Sequence, residues 1–149
     1  MKPAHTSRSD SFEEVSAELD EIASQIVDSA FKVHSKLGPG LLENAYEACL
    51  VYELQKRGLK VERQKQLPIA YEEVRLDVGY RLDLLVNESV VVELKITDGF
   101  HPIQQAQMMT YLKLTGVSLG LIINFNVPLI KQDIRRVVFN PKINAQGDR

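Results

Sequence analysis

Cysteine is almost missing from these 149 residues: Cys49 stands alone, so neither an internal disulfide nor a cysteine metal cluster can form. It falls inside a helical pattern and reads as a small core residue. No apolar stretch is long enough to cross a bilayer, and no charged-then-apolar leader opens the chain. A cytoplasmic protein without a membrane partner is therefore expected. Internal repeats and low-complexity tracts are absent as well. A basic excess is also lacking, since 18 Lys and Arg face 20 Asp and Glu for a net charge of −2. That balance speaks against a strong nucleic-acid binder until its distribution is considered. Residues 1–30 hold two basic and seven acidic side chains, a balance of −5, and the rest of the chain holds 16 and 13, a balance of +3. The body is mildly basic, which permits phosphate binding without demanding it.

The apolar share of 44% and charged share of 26% are those of an ordinary globular chain with room for one core. A polar, disordered segment is expected over 1–10, a single domain over 11–140 and a loose tail over 141–149. Ser11 and Glu14 offer a capping box. Val15, Leu19, Ile22, Ile26, Ala30, Val33 and Leu37 then recur at helical spacing, up to the stop at Gly38-Pro39-Gly40. A second helix is expected from Leu41 to Arg57, ending at Gly58. Strands are expected over 59–71 (bent or broken at Pro68), 74–86, 89–96, 119–125 and 134–140, with a third helix over Pro102 to Leu114. The expected fold is α/β, a mixed central sheet flanked by helices.

The segment VVELKI, residues 91–96, sets Glu93 and Lys95 in an aliphatic run, where charges are uncommon. Asn87-Glu88-Ser89 separates it from YRLDLLV, so the two strands read as a hairpin. With the turn centred on Glu88, Asp83 faces Glu93 and Arg81 faces Lys95. Leu82, Leu84, Val86, Val90, Val92, Leu94 and Ile96 then fill the opposite, core-facing side. Two carboxylates opposed at about 4.5–5.5 Å between Cβ atoms need a cation between them or a proton on one of them. A magnesium-type ion, which takes carboxylates together with water and phosphate, meets that need. A solvated square of surface ion pairs is the plain alternative.

Asp83, then Glu93, one intervening residue and Lys95 resemble the D-x(n)-(D/E)-x-K signature of the PD-(D/E)XK nuclease superfamily. GLLENAYE looks like the motif of the GxxExxY family of small proteins, through Gly40, Glu43 and Tyr46. QAQMMTYLKLTG matches that family's Q-x-x-x-Y helix through Gln107 and Tyr111. Leu82 stands where the superfamily's name has proline. The resemblance spans about residues 22–139 and implies a restriction-endonuclease-like, RecB-like core. It further implies Asp83, Glu93 and the Leu94 carbonyl as ligands of Mg2+ or Mn2+, with Glu43 completing the metal site. Lys95 would be catalytic, orienting the attacking water or neutralising the phosphate.

Gln104, Gln107 and Tyr111 fall at i, i+3 and i+7, a polar stripe that faces water or the cleft, while Ile103, Ala106, Met109 and Leu114 can face the core. The resemblance implies that Gln107 and Tyr111 meet metal-site groups or a nucleic-acid backbone. Tyr46, three positions from Glu43, lines the same cleft or packs in the core; Gln64 is a further cleft candidate. Glu47 shares a helix face with Glu43 and reads as solvated. His101 reads as a surface residue that could approach a phosphate, and Lys56, Arg57, Lys60, Arg63 and Lys65 as a solvated helix end and edge strand, with tracking of a phosphate backbone as the alternative. The implied partner is nucleic acid, DNA ahead of RNA, with a homodimer or larger assembly left open. The rival readings are a silent binding module that keeps the nuclease fold, and a subunit docking through its acidic N-terminal helix.

Overall fold

The computed structural model describes residues 15–77 and 80–140. The expected Ser11–Glu14 capping box, the segment 1–10 and the tail 141–149 lie outside them. Helix α1 (Ala17–Leu37) starts instead at Ser16, whose hydroxyl accepts the Leu19 N–H at 3.2 Å. It runs unbroken and buries Ile22, Ala23, Ile26, Ala30 and Val33, while Leu37 at its end is exposed. Gly38 and Gly40 then take φ values of +67° and +104°, open to glycine at little cost, so the chain reverses within three residues. Helix α2 (Glu43–Lys56) follows, shorter at its start than expected because Leu41 and Leu42 stay in the exposed connection.

Strands β1 (Val61–Gln66), β4 (Arg81–Val86), β5 (Val90–Lys95), β6 (Leu119–Asn124) and β7 (Ile134–Val138) form one sheet in the order β1-β4-β5-β6-β7. The expected strand over 74–86 is split: β2 (Ile69–Tyr71) and β3 (Val74–Leu76) make a separate small hairpin ahead of β4. Among the described residues only β5 and β6 are parallel, joined through α3 (Pro102–Thr115), and the other pairings are antiparallel. A short 3₁₀ turn at Ile130–Asp133 leads into β7.

Both faces of the sheet are covered. Helices α1 and α2 pack with Leu84, Val86, Val90, Val92, Leu94, Leu121, Ile123 and Phe125. Helix α3 packs on Leu82, Leu85, Val91, Ile122 and Val137 through Met108, Tyr111 and Leu112. Two expectations are corrected here. Leu82 does not join Leu84 and Val86 but sits in the α3 layer, because regular alternation fails at Asp83 between them. On α3 the core face is Gln104, Met108, Tyr111 and Leu112, whereas Ile103 is 73% exposed and Ala106 and Leu114 also face outward. Gly120 on β6 makes room for this face, since a Cβ there would stand 2.4 Å from the Met108 sulfur.

Tyr46 is fully buried and stacks on Phe125, with ring centroids 4.6 Å apart and planes 16° apart. Its hydroxyl donates to the Gly38 carbonyl and accepts the Leu41 N–H at 3.1 Å. The tyrosine therefore closes the α1–α2 connection from inside the core. Tyr46→Phe removes both of these part-buried hydrogen bonds, and is expected to lower stability by about 1–3 kcal/mol. A urea midpoint equal to that of the unchanged protein would show that the hydroxyl does not hold the connection.

Candidate active site

The antiparallel ladder between β4 and β5 pairs Val86 with Val90, Leu85 with Val91 and Leu84 with Val92, then stops. This is the register expected from a turn centred on Glu88. At the next position the side chains take over from the backbone. The Asp83 N–H donates to Glu93 Oε2 at 2.9 Å, and the Leu94 N–H donates to Asp83 Oδ2 at 2.8 Å. Each carboxylate is thus held by the opposite strand's main chain. Arg81 lies beyond the β4–β5 ladder, exposed and opposite Gln66 of β1.

The other side of Asp83 is also open. Strand β1 pairs with β4 at Arg63↔Leu84 and Lys65↔Leu82 but skips Gln64, which adopts φ +49°. A non-glycine residue in that region is unusual and must be held there by its surroundings. Neighbouring strand side chains normally point to opposite faces. Here Arg63 and Gln64 both reach Glu47 of α2, Arg63 Nε at 3.1 Å from Oε2 and Gln64 Nε2 at 2.8 Å from Oε1. Gln64 Nε2 also reaches Asp83 Oδ1 at 3.3 Å, so one amide ties Glu47 to Asp83. Glu47, expected to be solvated, is 4% exposed and belongs to the site. A glutamate four residues after Glu43, on the same helix face, was the only signal for it in the sequence.

Electrostatics bind the remaining residues to this centre. Burial, then repulsion from Asp83, pushes the Glu93 carboxyl up to about 8. Burial also raises Asp83, against the lowering effect of the Leu94 and Gln64 hydrogen bonds. Glu43, half-buried at the start of α2, is raised by burial and by Asp83, with Lys95 acting the other way. Tyr111, buried on α3, is pushed up to about 12 by burial and then by Glu93 and Asp83, and therefore stays a protonated donor. Its ring meets Tyr80 edge-on at 6.5 Å.

Glu43, Gln64, Asp83, Glu93, Lys95 and Tyr111 are brought together. Gln104 and Gln107 lie on the same helix as Tyr111, Gln104 buried and Gln107 half-buried, with no side-chain hydrogen bond to the described residues. Tyr46 is committed to the core connection rather than to the carboxylates. His101 is exposed and pairs with Asp98 at 3.2 Å. Asn124, to which no role was assigned from sequence, stands opposite Lys95 in the parallel register. Its amide accepts the Thr97 N–H at 3.1 Å and donates to the Thr97 carbonyl and to Asp133, anchoring the chain just past Lys95.

Among the described residues, no three His, Cys, Asp or Glu side chains form a ready-made metal cage. What the strands present is two facing carboxylates, each with one oxygen taken by a main-chain N–H. The second oxygen of Asp83 has only the long Gln64 contact, and that of Glu93 has no partner among the described residues. Hard oxygens with spare lone pairs and mutual repulsion suit a small divalent cation.

A mixed sheet covered by helices, with Asp, Glu and Lys at the open end of its central hairpin, defines a nuclease-type α/β fold. The sequence model of the PD-(D/E)XK nuclease superfamily matches residues 20–137, and the chain belongs to that superfamily. No curated protein matches it. Among solved structures, the crystal structure of SSO0001 is similar at 16% identity, with a TM-score of 0.51, over 69% of this chain and 54% of that one. This chain thus spans about half the length of SSO0001. An alkaline exonuclease, LHK-Exo, from Laribacter hongkongensis aligns at 14% identity with a TM-score of 0.44, over 80% of both chains.

The raised Glu93 carboxyl has a consequence for stability. Its folded value of about 8 lies above its ordinary value of 4.5, so between those pH values the folded chain holds a proton that the unfolded chain has lost. Stability of the metal-free protein is therefore expected to fall as pH rises through that window. Glu93→Gln, which keeps an acceptor for the Asp83 N–H, should match the unchanged protein near pH 4.5 and exceed it above pH 8. Thermal unfolding in chelator across this range checks it; parallel profiles for the two proteins would show that the Glu93 carboxyl is not raised.

Proposed function

We propose that this chain is a metal-dependent nuclease that hydrolyses phosphodiester bonds of DNA or RNA, with DNA the first candidate. The G-x-x-E-x-x-Y and Q-x-x-x-Y motifs favour a place in the GxxExxY group. The observation that carries the reading is the Asp83–Glu93 pair, cross-tied to opposite strands where the ladder ends and left with oxygens to share.

On this reading Asp83, Glu93 and the Leu94 carbonyl hold Mg2+ or Mn2+, and Glu43 adjoins them. Such an ion, when bound, supplies positive charge for the developing phosphoryl oxyanion and acidifies water. The residues of the chain do the rest. Lys95 places a half-buried ammonium two residues from Glu93 on the same strand, where it orients the phosphate or the attacking water. Glu43, its carboxyl raised by its surroundings, accepts or returns a proton at the edge of the site. Tyr111 remains protonated and donates towards the carboxylates or a phosphate oxygen. The Gln64 bridge holds Asp83 in one rotamer.

The test is cleavage of plasmid and oligonucleotide DNA and of RNA, with Mg2+ or Mn2+ against a chelator control. Asp83→Ala and Lys95→Ala should each reduce metal-dependent cleavage at least about a hundredfold. Activity unchanged in both variants would remove the assignment. A protein that binds nucleic acid but neither takes up metal nor cuts would be the silent module instead.

A further inference from the structure

Of the basic residues grouped between α2 and β1, four are occupied locally at the surface. Lys56 lies over the Tyr52 ring, 5.6 Å from its centroid, and Arg57 reaches Asp28 and the Gln25 carbonyl. Lys60 pairs with Glu88 at 2.9 Å and Lys65 with Glu62 at 3.3 Å. None of these acids belongs to the active-site cluster. Arg63 differs, because its partner Glu47 is buried and shares the Gln64 amide with Asp83.

Only Nε of Arg63 is used in that pair. The Nη1 and Nη2 groups have no partner among the described residues, and the side chain is 47% exposed. A guanidinium held through Nε has its plane set and its outer N–H groups left as a two-pronged donor, the geometry that matches a phosphate. Both oxygens of Glu47 are engaged, one by Arg63 and the other by Gln64. Its chemistry is that of an anchor. The arrangement also explains why Gln64 accepts a positive φ: that turn lets Arg63 and Gln64 reach Glu47 from consecutive positions.

We propose that Arg63 is a substrate-binding residue, whose guanidinium, oriented by Glu47, holds a nucleic-acid backbone phosphate adjoining the one that is cleaved. The inference rests on the nuclease reading above and adds a second contact point beside the carboxylate pair. Edge strand β1 would then lie along the bound strand, with the scissile phosphate at Lys95 and its neighbour at Arg63. An Arg63–Glu47 pair serving stability alone is the competing account.

Two variants separate them. Arg63→Lys keeps a cation for Glu47 but loses the fork, and Arg63→Gln loses both. The readouts are KM and kcat for cleavage of a fluorescein-labelled DNA oligonucleotide, single- and double-stranded, and anisotropy with Ca2+ replacing the catalytic ion. Arg63→Gln should raise KM and Kd about tenfold, leave kcat within about threefold, and lower the slope of log Kd against log salt by about one. Arg63→Lys should weaken binding severalfold with the melting temperature unchanged. If the unchanged protein cuts DNA while Arg63→Lys binds and cuts like it, the inference falls and the nuclease reading stands. If Arg63→Gln only melts lower, with KM and Kd unmoved, the pair is structural and the inference is likewise overturned. If the unchanged protein neither binds nor cuts DNA, with RNA likewise inert, both readings fall together.

Discussion

Two carboxylates of like charge are held against each other at the end of a β-ladder, and the rest of the structure is arranged around that constraint. Asp83 and Glu93 are not simply opposed. Each accepts a main-chain N–H from the facing strand, so the hydrogen bonds that would have continued the sheet fix the acids instead. The hairpin's buried aliphatic residues supply the leverage. Val90, Val91 and Val92 are fully buried and paired on both sides, so the strands cannot separate to relieve the repulsion at their ends. Burial raises both carboxyl pKa values, with repulsion from Asp83 added at Glu93, which is stored demand for a cation or a proton.

The same demand explains the surroundings. Glu43 and Glu47 bring two further acids from α2, and without compensation the cluster would be a concentrated negative field. Compensation comes from Lys95 within the site and from Arg63 at its margin, with Gln64 distributing one amide between two carboxylates. Asp83 is consequently unpaired in the ladder on both sides, towards Gln64 and towards Glu93. The backbone irregularities at Gln64 and Asp83 are therefore the local cost of aiming side chains at one point, as functional sites commonly show. Asn124 and Asp133 do comparable work one strand away, fixing the chain as it leaves β5.

Much of this was legible in advance, and the parts that were not share a cause. The hairpin register followed from a polar turn between two aliphatic runs. The positions of Asp83, Glu93, Lys95 and Glu43 followed from spacing and resemblance. The face of α3 was misjudged because Ile103, Ala106 and Leu114 look like core residues by type. In the structure their places are taken by Gln104, Met108 and Leu112. A helix so mixed in character has no single stripe that residue type can identify, and its packing partners decide which side is buried. Leu82 was misplaced because alternation was extended through Asp83, where it fails.

By itself the sequence determined the elements, their order, the α/β class and the pair of strands that carries the acids, because periodicity, turn residues and hydrophobic runs are local properties. Tertiary structure alone decided that Glu47 is buried, that Tyr46 serves the core, and that Arg63 is tied to the carboxylate network through Glu47. Those outcomes depend on distances between α2, β1 and β4, segments separated by many residues. Charge neutralisation across such gaps is a property of the packed arrangement, and no local pattern of residues encodes it.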